Sequence, residues 1–270
     1  MKFDYSALSA FRLCPDLYRE RYVKKLAPDW ALLAPGKPSR TDFGTRIHQL
    51  LEQHYKRLAG LPVPEYPPCL DEPTELEAQK TFAEYLGHYP VEPFRVLAVE
   101  TVFEVNVGEH IYTGKLDLVA QDDFAIFGVD HKTEGRSSKA NTPEARASSA
   151  QFSLYQFALS RIYGADLGSF VLNRVTRASP KGEKPPLFFR DTLDRSPEQI
   201  DEAVRDALET VRIIEDYLER FGPDQPWPRN RDACVNPAYG TLCAFYNPHL
   251  FGWNDELLKL YKPADEYLKE

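Results

Sequence analysis

Residues 94–132, FRVLAVETVFEVNVGEHIYTGKLDLVAQDDFAIFGVDHK, decide the fold of this chain. They are rich in β-branched and aromatic residues with partial alternation, which is the pattern of β-strands. Gly108-Glu109 and Asp122-Asp123 have the composition of turns. The pattern therefore predicts a meander of three consecutive strands, at 94–107, 110–121 and 124–132.

Two carboxylates and a lysine lie on adjacent predicted strands. Asp117 falls within the second strand, and Asp130 ends the third, which is otherwise apolar. A buried carboxylate is costly unless a cation neutralises it, and Mg²⁺, which prefers oxygen ligands, is a common solution. Because side chains alternate along a strand, Lys132 should point to the same face as Asp130 while His131 points away. The alternative is an ordinary ion pair at the end of a strand.

A helix is expected after these strands. Asn141-Thr142-Pro143-Glu144 supplies an N-cap residue, a proline for the first turn and an early acid, so the predicted helix runs from there to Tyr163 and ends at Gly164. Gln151 and Tyr155 lie four residues apart on one face of it. Elsewhere the predicted elements are helices at 41–59, 72–88 and 197–221 and strands at 169–176 and 187–192.

Five short motifs occur in order along residues 3–250. They are Gly44-Thr45-Arg46-Ile47-His48, Glu100, Gly114-x-x-Asp117, Asp130-x-Lys132-Thr133 and Gln151-x-x-x-Tyr155. This set resembles the motifs of the PD-(D/E)XK nuclease superfamily. Within that superfamily it resembles the RecB-like branch, which includes CRISPR-associated RecB-like exonucleases and phage-encoded relatives.

The resemblance implies an α/β (α+β) fold with a restriction-endonuclease-like core, in which helices flank a central mixed β-sheet. It also implies a single nuclease domain over residues 1–270. That domain would consist of an N-terminal helical part at 1–93, the catalytic sheet and helix at 94–195, and a C-terminal helix with a cysteine-containing segment at 196–270. A chain of 270 residues with 43 % hydrophobic composition is long enough to bury a full core.

The resemblance further implies a divalent-metal site. The metal ligands would be His48, Asp117, Asp130 and the backbone carbonyl of His131. The other catalytic residues would be Lys132, Gln151, Tyr155 and Glu100. Lys132 would position or activate the attacking water, and Gln151 and Tyr155 would hold this lysine and the scissile phosphate. Mg²⁺ is one expected ion, and a histidine among oxygen ligands makes Mn²⁺ the other.

His48 shares its predicted amphipathic helix, 41–59, with a second histidine, His54. A single helical histidine is usually an ordinary surface or core residue. Gly44, one turn before His48, changes this expectation, because a residue without a side chain allows a strand or a phosphate to approach the helix where His48 projects. We therefore expect His48 to bind metal and His54 to have little effect on it.

The chain has four cysteines, no signal peptide and no apolar stretch of roughly 18 residues, so we expect a cytoplasmic protein with reduced thiols. The iron–sulfur members of the RecB-like branch place one cysteine in the first helix and three near the C-terminus. Cys14, Cys234 and Cys243 match three of these positions, and His249 stands at the fourth. Such a set suits Zn²⁺ as well as a 4Fe–4S cluster, and a site without metal is the third alternative. Cys69 lies outside the pattern.

The charge of the chain argues against a protein that coats nucleic acid over its whole surface, because the net charge is −8 and the pI about 5.4. Basic residues are nevertheless concentrated in the first helix and after the third strand: Arg12, Arg19, Arg21, Lys24, Lys25, Arg136, Lys139 and Arg146. They indicate either a solvated helix face or a local funnel for phosphates, with Phe11, Tyr18 and Tyr22 available to stack on bases.

The sequence therefore predicts a metal-dependent DNA nuclease, a hydrolase that acts on single strands or free ends. The expected settings are DNA repair, recombination, phage replication or CRISPR adaptation. The expected partners are DNA and the proteins of such complexes, with no membrane. The alternative is a catalytically idle nuclease-fold module that binds DNA or protein within a larger complex, and the intact set of site residues argues against it.

Overall fold

The computed structural model of the chain describes residues 1–33, 42–69, 71–135, 148–164, 168–179, 184–235 and 242–263. The chain divides into two compact units. The terminal unit is formed by Met1–Lys37 and Arg205–Glu270, and the sheet unit by Pro38–Val204. A search of the described helices finds none with the length and apolar character that a membrane span requires.

Regular elements are numbered in chain order over the described residues. The α-helices are α1 (Tyr5–Leu13), α2 (Pro15–Tyr18), α3 (Trp30–Leu33), α4 (Asp42–Leu58), α5 (Glu72–His88), α6 (Ala150–Tyr163), α7 (Pro197–Phe221), α8 (Tyr246–Phe251) and α9 (Asp255–Leu258). The strands are β1 (Lys2–Phe3), β2 (Leu26–Pro28), β3 (Arg95–Val107), β4 (His110–Gln121), β5 (Ile126–Glu134), β6 (Phe170–Thr176), β7 (Leu187–Leu193) and β8 (Tyr261–Pro263). A π-helical segment, Arg19–Val23, follows α2, and a 3₁₀ turn lies at Arg231–Cys234.

The sheet unit is built on a mixed sheet. Strands β3, β4 and β5 form the predicted antiparallel meander. Strand β6 pairs parallel with β5, and β7 pairs antiparallel with β6. A parallel pair needs a crossover connection, and α6 lies in it. The three predicted strands of the meander are confirmed.

Helix α4 packs against the sheet through an apolar stripe. Phe43, Ile47, Leu51 and Tyr55 recur every fourth residue, so they lie along one face of the helix. They belong to one buried cluster with residues of α5 and of the strands: Ala78, Tyr85, Val99, Leu118, Ala120, Phe127, Val129 and Val175. This packing brings the polar residues of the same helix to the edge of the sheet where the predicted site residues lie.

Helix α6 begins later than the sequence predicted. The proposed cap at 141–144 lies outside the described residues. The described helix starts at Ala150, because Ser149 has an extended backbone and its hydroxyl accepts a hydrogen bond from the N–H of Gln151. It ends at Gly164, as predicted, where φ is 91° and a glycine is favoured. The shorter helix still carries both Gln151 and Tyr155.

The terminal unit has an aromatic core. Phe11 packs edge-to-face against Tyr18, Tyr217 and Trp227, and Tyr18 stacks on Trp227. Phe11 is only 6 % exposed and Tyr18 only 5 %. The prediction that these two rings are available to stack on bases is therefore wrong, because they hold the two ends of the chain together.

The basic residues near the N-terminus are also partly internal. Helix α1 ends at Leu13, since Cys14 is extended and Pro15 opens the next turn. Arg19 is buried and forms ion pairs with Asp16 and Glu20. It cannot contribute to a surface funnel for phosphates. The second basic group, at 136, 139 and 146, lies outside the described residues.

Candidate active site

The predicted site residues meet where the pairing of β4 and β5 ends. Leu118 pairs with Val129, and the next residues on the two strands are Asp117 and Asp130. Residues opposite each other on antiparallel strands point to the same face of a sheet. The N–H of His131 donates to Asp117 Oδ2 at 2.7 Å, a contact that the end of regular pairing makes available. The two carboxylates therefore belong to one site.

His131 is held rigidly from the interior. Its ring stacks on Tyr55, with centroids 5.5 Å and planes 6° apart, and its Nδ1 lies 2.8 Å from Asn173 Nδ2. Burial lowers the pKa of His131 to about 3, so the ring is neutral and Nδ1 accepts the amide hydrogen. The backbone that carries the predicted carbonyl ligand and binds Asp117 is thus fixed by two buried side chains.

Asp130 and Lys132 form an ion pair at the end of β5. Lys132 Nζ lies 3.0 Å from Asp130 Oδ1 and 2.7 Å from Oδ2. Asp130 is only 5 % exposed, and among the described residues no donor reaches Oδ2 with hydrogen-bond geometry. Burial raises the pKa of Asp130 to about 6; Lys132 opposes this effect, while the nearby charge of Asp117 adds to it. A buried carboxylate that lies beside a second carboxylate fits a cation ligand.

His48 and Glu100 complete the cluster around Asp117. His48 Nδ1 lies 3.8 Å from Asp117 Oδ2. One ligand atom from each of His48, Glu100 and Asp117 lies within 4.8 Å of the other two, so a single cation could contact all three. Two carboxylates and one imidazole form a donor set that suits Mg²⁺ or Mn²⁺. The sequence placed Glu100 in catalysis, and the structure places it in this candidate metal group.

Glu100 has an unusual backbone for a strand residue. Its φ is 50°, in the left-handed region, although it lies in the middle of β3. The residues on either side of it pair with the residues on either side of Asp117, so the two acids face each other across the ladder. Such a conformation costs on the order of 1 kcal/mol or more in a non-glycine residue and is concentrated at functional sites.

Gly44 allows α4 to approach β5. A Cβ at this position would lie 2.7 Å from Thr133 Oγ1, closer than real Cβ contacts. The sequence left open whether a strand or a phosphate approaches the helix at Gly44. In the described structure the neighbour is Thr133, a residue of strand β5. The close approach places His48, one helical turn later, beside Asp117.

Gln151 and Tyr155 are joined to each other on α6. Gln151 Nε2 donates to the hydroxyl of Tyr155 at 3.1 Å. The Tyr155 ring packs edge-to-face on Phe103, and a Cβ at Gly114 would lie 2.7 Å from Phe103 and 3.4 Å from Tyr155. Gly114 in the G-x-x-D motif therefore makes room for these two rings. The roles of Gln151 and Tyr155 towards Lys132 and phosphate stay predictions.

Several residues that shape the site were given no role of their own by the sequence analysis: Tyr55, Asn173, Thr133 and Lys115. Tyr55 lies seven residues after His48, a spacing that returns to the same helix face and could have been noticed. Asn173 is a fully buried amide in a strand with an apolar start, which is another detectable signal. Lys115 lies in the G-K-L-D motif, and its Nζ is 2.5 Å from Glu100 Oε2.

The cysteine set lies in the terminal unit. Cys243 N–H donates to the Cys234 carbonyl at 2.8 Å. Burial raises the pKa of Cys243, a hydrogen bond from the backbone N–H of Phe245 opposes this effect, and Cys14 and Cys234 add to it. His249 contacts a different group, since its Nε2 lies 3.3 Å from Asp16 Oδ2. Among the described residues, the ligand atoms that converge here belong to Asp16, Glu20 and His249 and not to the cysteines.

We expect Asp130→Asn to stabilise the metal-free protein at alkaline pH. The pKa of Asp130 is about 6 in the folded protein and 3.8 in the unfolded chain, so the folded protein holds this proton more tightly. The stability that the proton provides is fully present below pH 3.8 and is lost as the pH rises through about 6. The uncharged amide avoids this loss, which is about 3 kcal/mol for a pKa raised from 3.8 to about 6. Urea unfolding in chelator, at about pH 5 and about pH 8, should show a stability gain that grows with pH. A variant that is less stable than wild type at the higher pH would contradict this account.

The expected mixed α/β fold, a central mixed sheet flanked by helices, is confirmed. The family model of the PD-(D/E)XK nuclease superfamily matches residues 2–244. This chain belongs to the PD-(D/E)XK nuclease superfamily. That family consists of hydrolytic nucleases that use divalent metal ions.

Similar solved structures include two that differ widely from the chain in sequence. One is a candidate exonuclease from Eubacterium rectale, with a TM-score of 0.47, 12 % identity, and coverage of 79 % of this chain and 81 % of that one. The other is the protein SSO0001, with a TM-score of 0.31, 20 % identity, and coverage of 72 % and 86 %. A search of curated proteins gave no significant match.

Proposed function

We propose that this protein is a metal-dependent deoxyribonuclease of the RecB-like branch that acts on single strands or on free ends. One observation carries the proposal: two carboxylates, an imidazole and a lysine converge at the end of one pair of strands. These are Asp117, Asp130, His48 and Lys132. The buried position of Asp130 beside Asp117 supports an active nuclease over an idle binding module, because two neighbouring carboxylates repel each other unless a cation lies between them.

The metal would be held by His48 and Asp117, whose ligand atoms lie within 4.8 Å of each other and of one from Glu100. Asp130, opposite Asp117 at the end of the strand pair, would be a further ligand. When bound, a divalent ion supplies electrostatic stabilisation for the charge that develops on the phosphate during hydrolysis. The carbonyl of His131 is a suitable further ligand, since the stacked ring and the N–H bond to Asp117 fix the local backbone.

Lys132 provides the second positive charge of the site. Its side chain is about one-third exposed, while its ammonium contacts the buried Asp130. The ammonium is therefore ordered before substrate arrives and can still reach it. A donor that is already positioned stabilises developing charge without reorganisation during the reaction. Lys132 also positions the attacking water, and the paired Gln151 and Tyr155 support the lysine and the phosphate from α6.

The substrate preference can be tested with four matched nucleic acids: a linear single strand, the same strand as a closed circle, a blunt duplex and an RNA of the same sequence. Each is end-labelled or body-labelled and incubated with Mg²⁺ or Mn²⁺. The proposal predicts rapid shortening of the linear DNA strand and no cleavage of the circle by an end-directed enzyme. Cleavage of the circle would show internal cutting. Failure to degrade any DNA with either ion would contradict the proposal.

His48→Ala should raise the Mn²⁺ concentration that gives half-maximal cleavage by about tenfold or more, equivalent to 1.4 kcal/mol per decade. The reason is that one of three converging ligand atoms is lost. His54→Ala is the matched control, because His54 lies on the same helix and contacts Tyr55 and Phe82 instead. Equal effects of the two substitutions would remove His48 from the metal site.

The metal at the cysteine set stays a prediction. We propose that Cys14, Cys234 and Cys243 hold a 4Fe–4S cluster or Zn²⁺, with His249 as the fourth ligand after it leaves Asp16. Anaerobic purification followed by absorbance near about 400 nm and by zinc analysis separates the alternatives. A colourless protein without zinc would leave these residues as ordinary free thiols, with Cys14 buried and the other two half-buried.

A further inference from the structure

Lys115 occupies the Glu100 side of the candidate metal group. It lies two residues before Asp117 on β4, so both side chains point to the same face of the sheet. Its Nζ is 2.5 Å from Glu100 Oε2, and its side chain is 45 % exposed. The ammonium therefore neutralises one of the carboxylates that would bind a divalent ion, and it does so from the solvent side.

A divalent ion and this ammonium compete for the same carboxylate. The ligand atoms of His48, Glu100 and Asp117 lie within 4.8 Å of one another, so an ion among them would come close to Lys115 Nζ. Two cations that bind the same carboxylate repel each other strongly where water is partly excluded. Glu52, the next nearby acid, is already paired with Lys56 at 2.6 Å. The long, half-exposed lysine side chain then extends towards solvent, where the phosphates of a substrate would arrive.

We propose that Lys115 is a resident cation: it neutralises Glu100 in the metal-free site and transfers its charge to a substrate phosphate when the metal binds. Lys115 then has two opposite effects. It weakens metal binding, because the metal must displace it, and it strengthens binding of the nucleic acid to the metal-loaded protein. This inference rests on the proposed nuclease function and assigns a residue that couples metal loading to substrate binding.

Lys115→Gln tests the inference, since glutamine keeps much of the length of lysine and removes the charge. Calorimetric titration with Mn²⁺ in the absence of DNA should show about fivefold to tenfold tighter binding than in wild type. A substitution that only damaged the site would weaken metal binding, so a gain in affinity separates competition from a structural role. Lys115→Arg retains the charge and should restore the wild-type affinity.

Nucleic-acid binding is measured separately by fluorescence anisotropy of a labelled single strand with Mn²⁺ present. Both proteins carry Lys132→Met so that the strand is not degraded. Adding Lys115→Gln should weaken binding about threefold to tenfold and reduce its salt dependence by about one phosphate contact. Lys80→Gln is the matched control, because Lys80 is an exposed lysine on α5, and it should change neither affinity by more than about twofold.

Two results would overturn the inference. One is a Lys115→Gln protein that binds Mn²⁺ no more tightly than wild type, and the other is a metal-loaded variant that binds the strand as tightly as its parent. If wild type binds Mn²⁺ and cleaves DNA, either result removes only the role of Lys115. If wild type neither binds Mn²⁺ nor cleaves DNA, the proposed function fails as well.

Discussion

Lys132→Met will cleave DNA about 1,000-fold more slowly than wild type while it still binds Mn²⁺. The ammonium of Lys132 lies against the carboxylate of Asp130, at 2.7 Å and 3.0 Å from its two oxygens. Its loss removes a positioned charge near the reacting phosphate, and loss of one such donor costs on the order of 100- to 1,000-fold in rate. Metal binding persists because the carboxylates and His48 remain.

Asp117→Asn provides the contrasting variant. It removes a carboxylate that lies beside both His48 and the N–H of His131, so it should abolish metal binding and cleavage together. Lys80→Met, an exposed lysine of α5, is the control for the loss of a surface charge. Thermal unfolding of each variant should show an intact fold. Wild-type cleavage by Lys132→Met would place the catalytic charge on another residue.

Asp16→Ala will lower the free energy of unfolding by about 3–5 kcal/mol, the range seen when one partner of a buried ion pair is removed. Asp16 is fully buried. It accepts hydrogen bonds from the Trp227 N–H at 3.1 Å and from Arg229 Nε at 2.6 Å, and it forms an ion pair with Arg19 Nε at 2.8 Å. Alanine would leave the buried Arg19 with Glu20 as its remaining carboxylate partner, and it would cut contacts between the two ends of the chain.

Urea unfolding followed by tryptophan fluorescence measures this effect. Glu209→Ala is the matched control, because Glu209 pairs with Arg212 on an exposed helix surface, where loss of an ion pair should cost less than about 1 kcal/mol. If Asp16→Ala loses no more than this control, the buried charges do not join the ends of the chain. The three cysteines would then have to carry that role, and Cys14→Ser would become the more damaging substitution.

The meander was predictable because its side-chain pattern is local. Strands β3, β4 and β5 match the predicted strands to within two residues at each end. The pairing of β4 with β5 in a hairpin implies that Asp117 and Asp130 lie close together. The alternation of side chains along β5 implies that Asp130 and Lys132 point to the same face. These inferences need only strand register, which turns and alternation define.

The pairing of Glu100 with Lys115 was not predictable, because it depends on a left-handed backbone at Glu100 that no local pattern indicates. Phe11 and Tyr18 were misread for a related reason. An aromatic residue on a helix rich in basic residues can belong to a nucleic-acid-binding face or to the protein core, and the sequence pattern is the same in both cases. Only the contacts with Trp227 show that these two rings belong to the core.

The most direct test of the central claim is to locate the metal. Crystals of the wild-type protein soaked in Mn²⁺ and measured at the manganese absorption edge should show an anomalous peak between His48, Asp117 and Asp130, with ligand distances of about 2.0–2.3 Å. The same peak should be absent in Asp117→Asn. A protein that cleaves DNA in Mn²⁺ but binds the ion elsewhere, away from these three residues, would contradict the account.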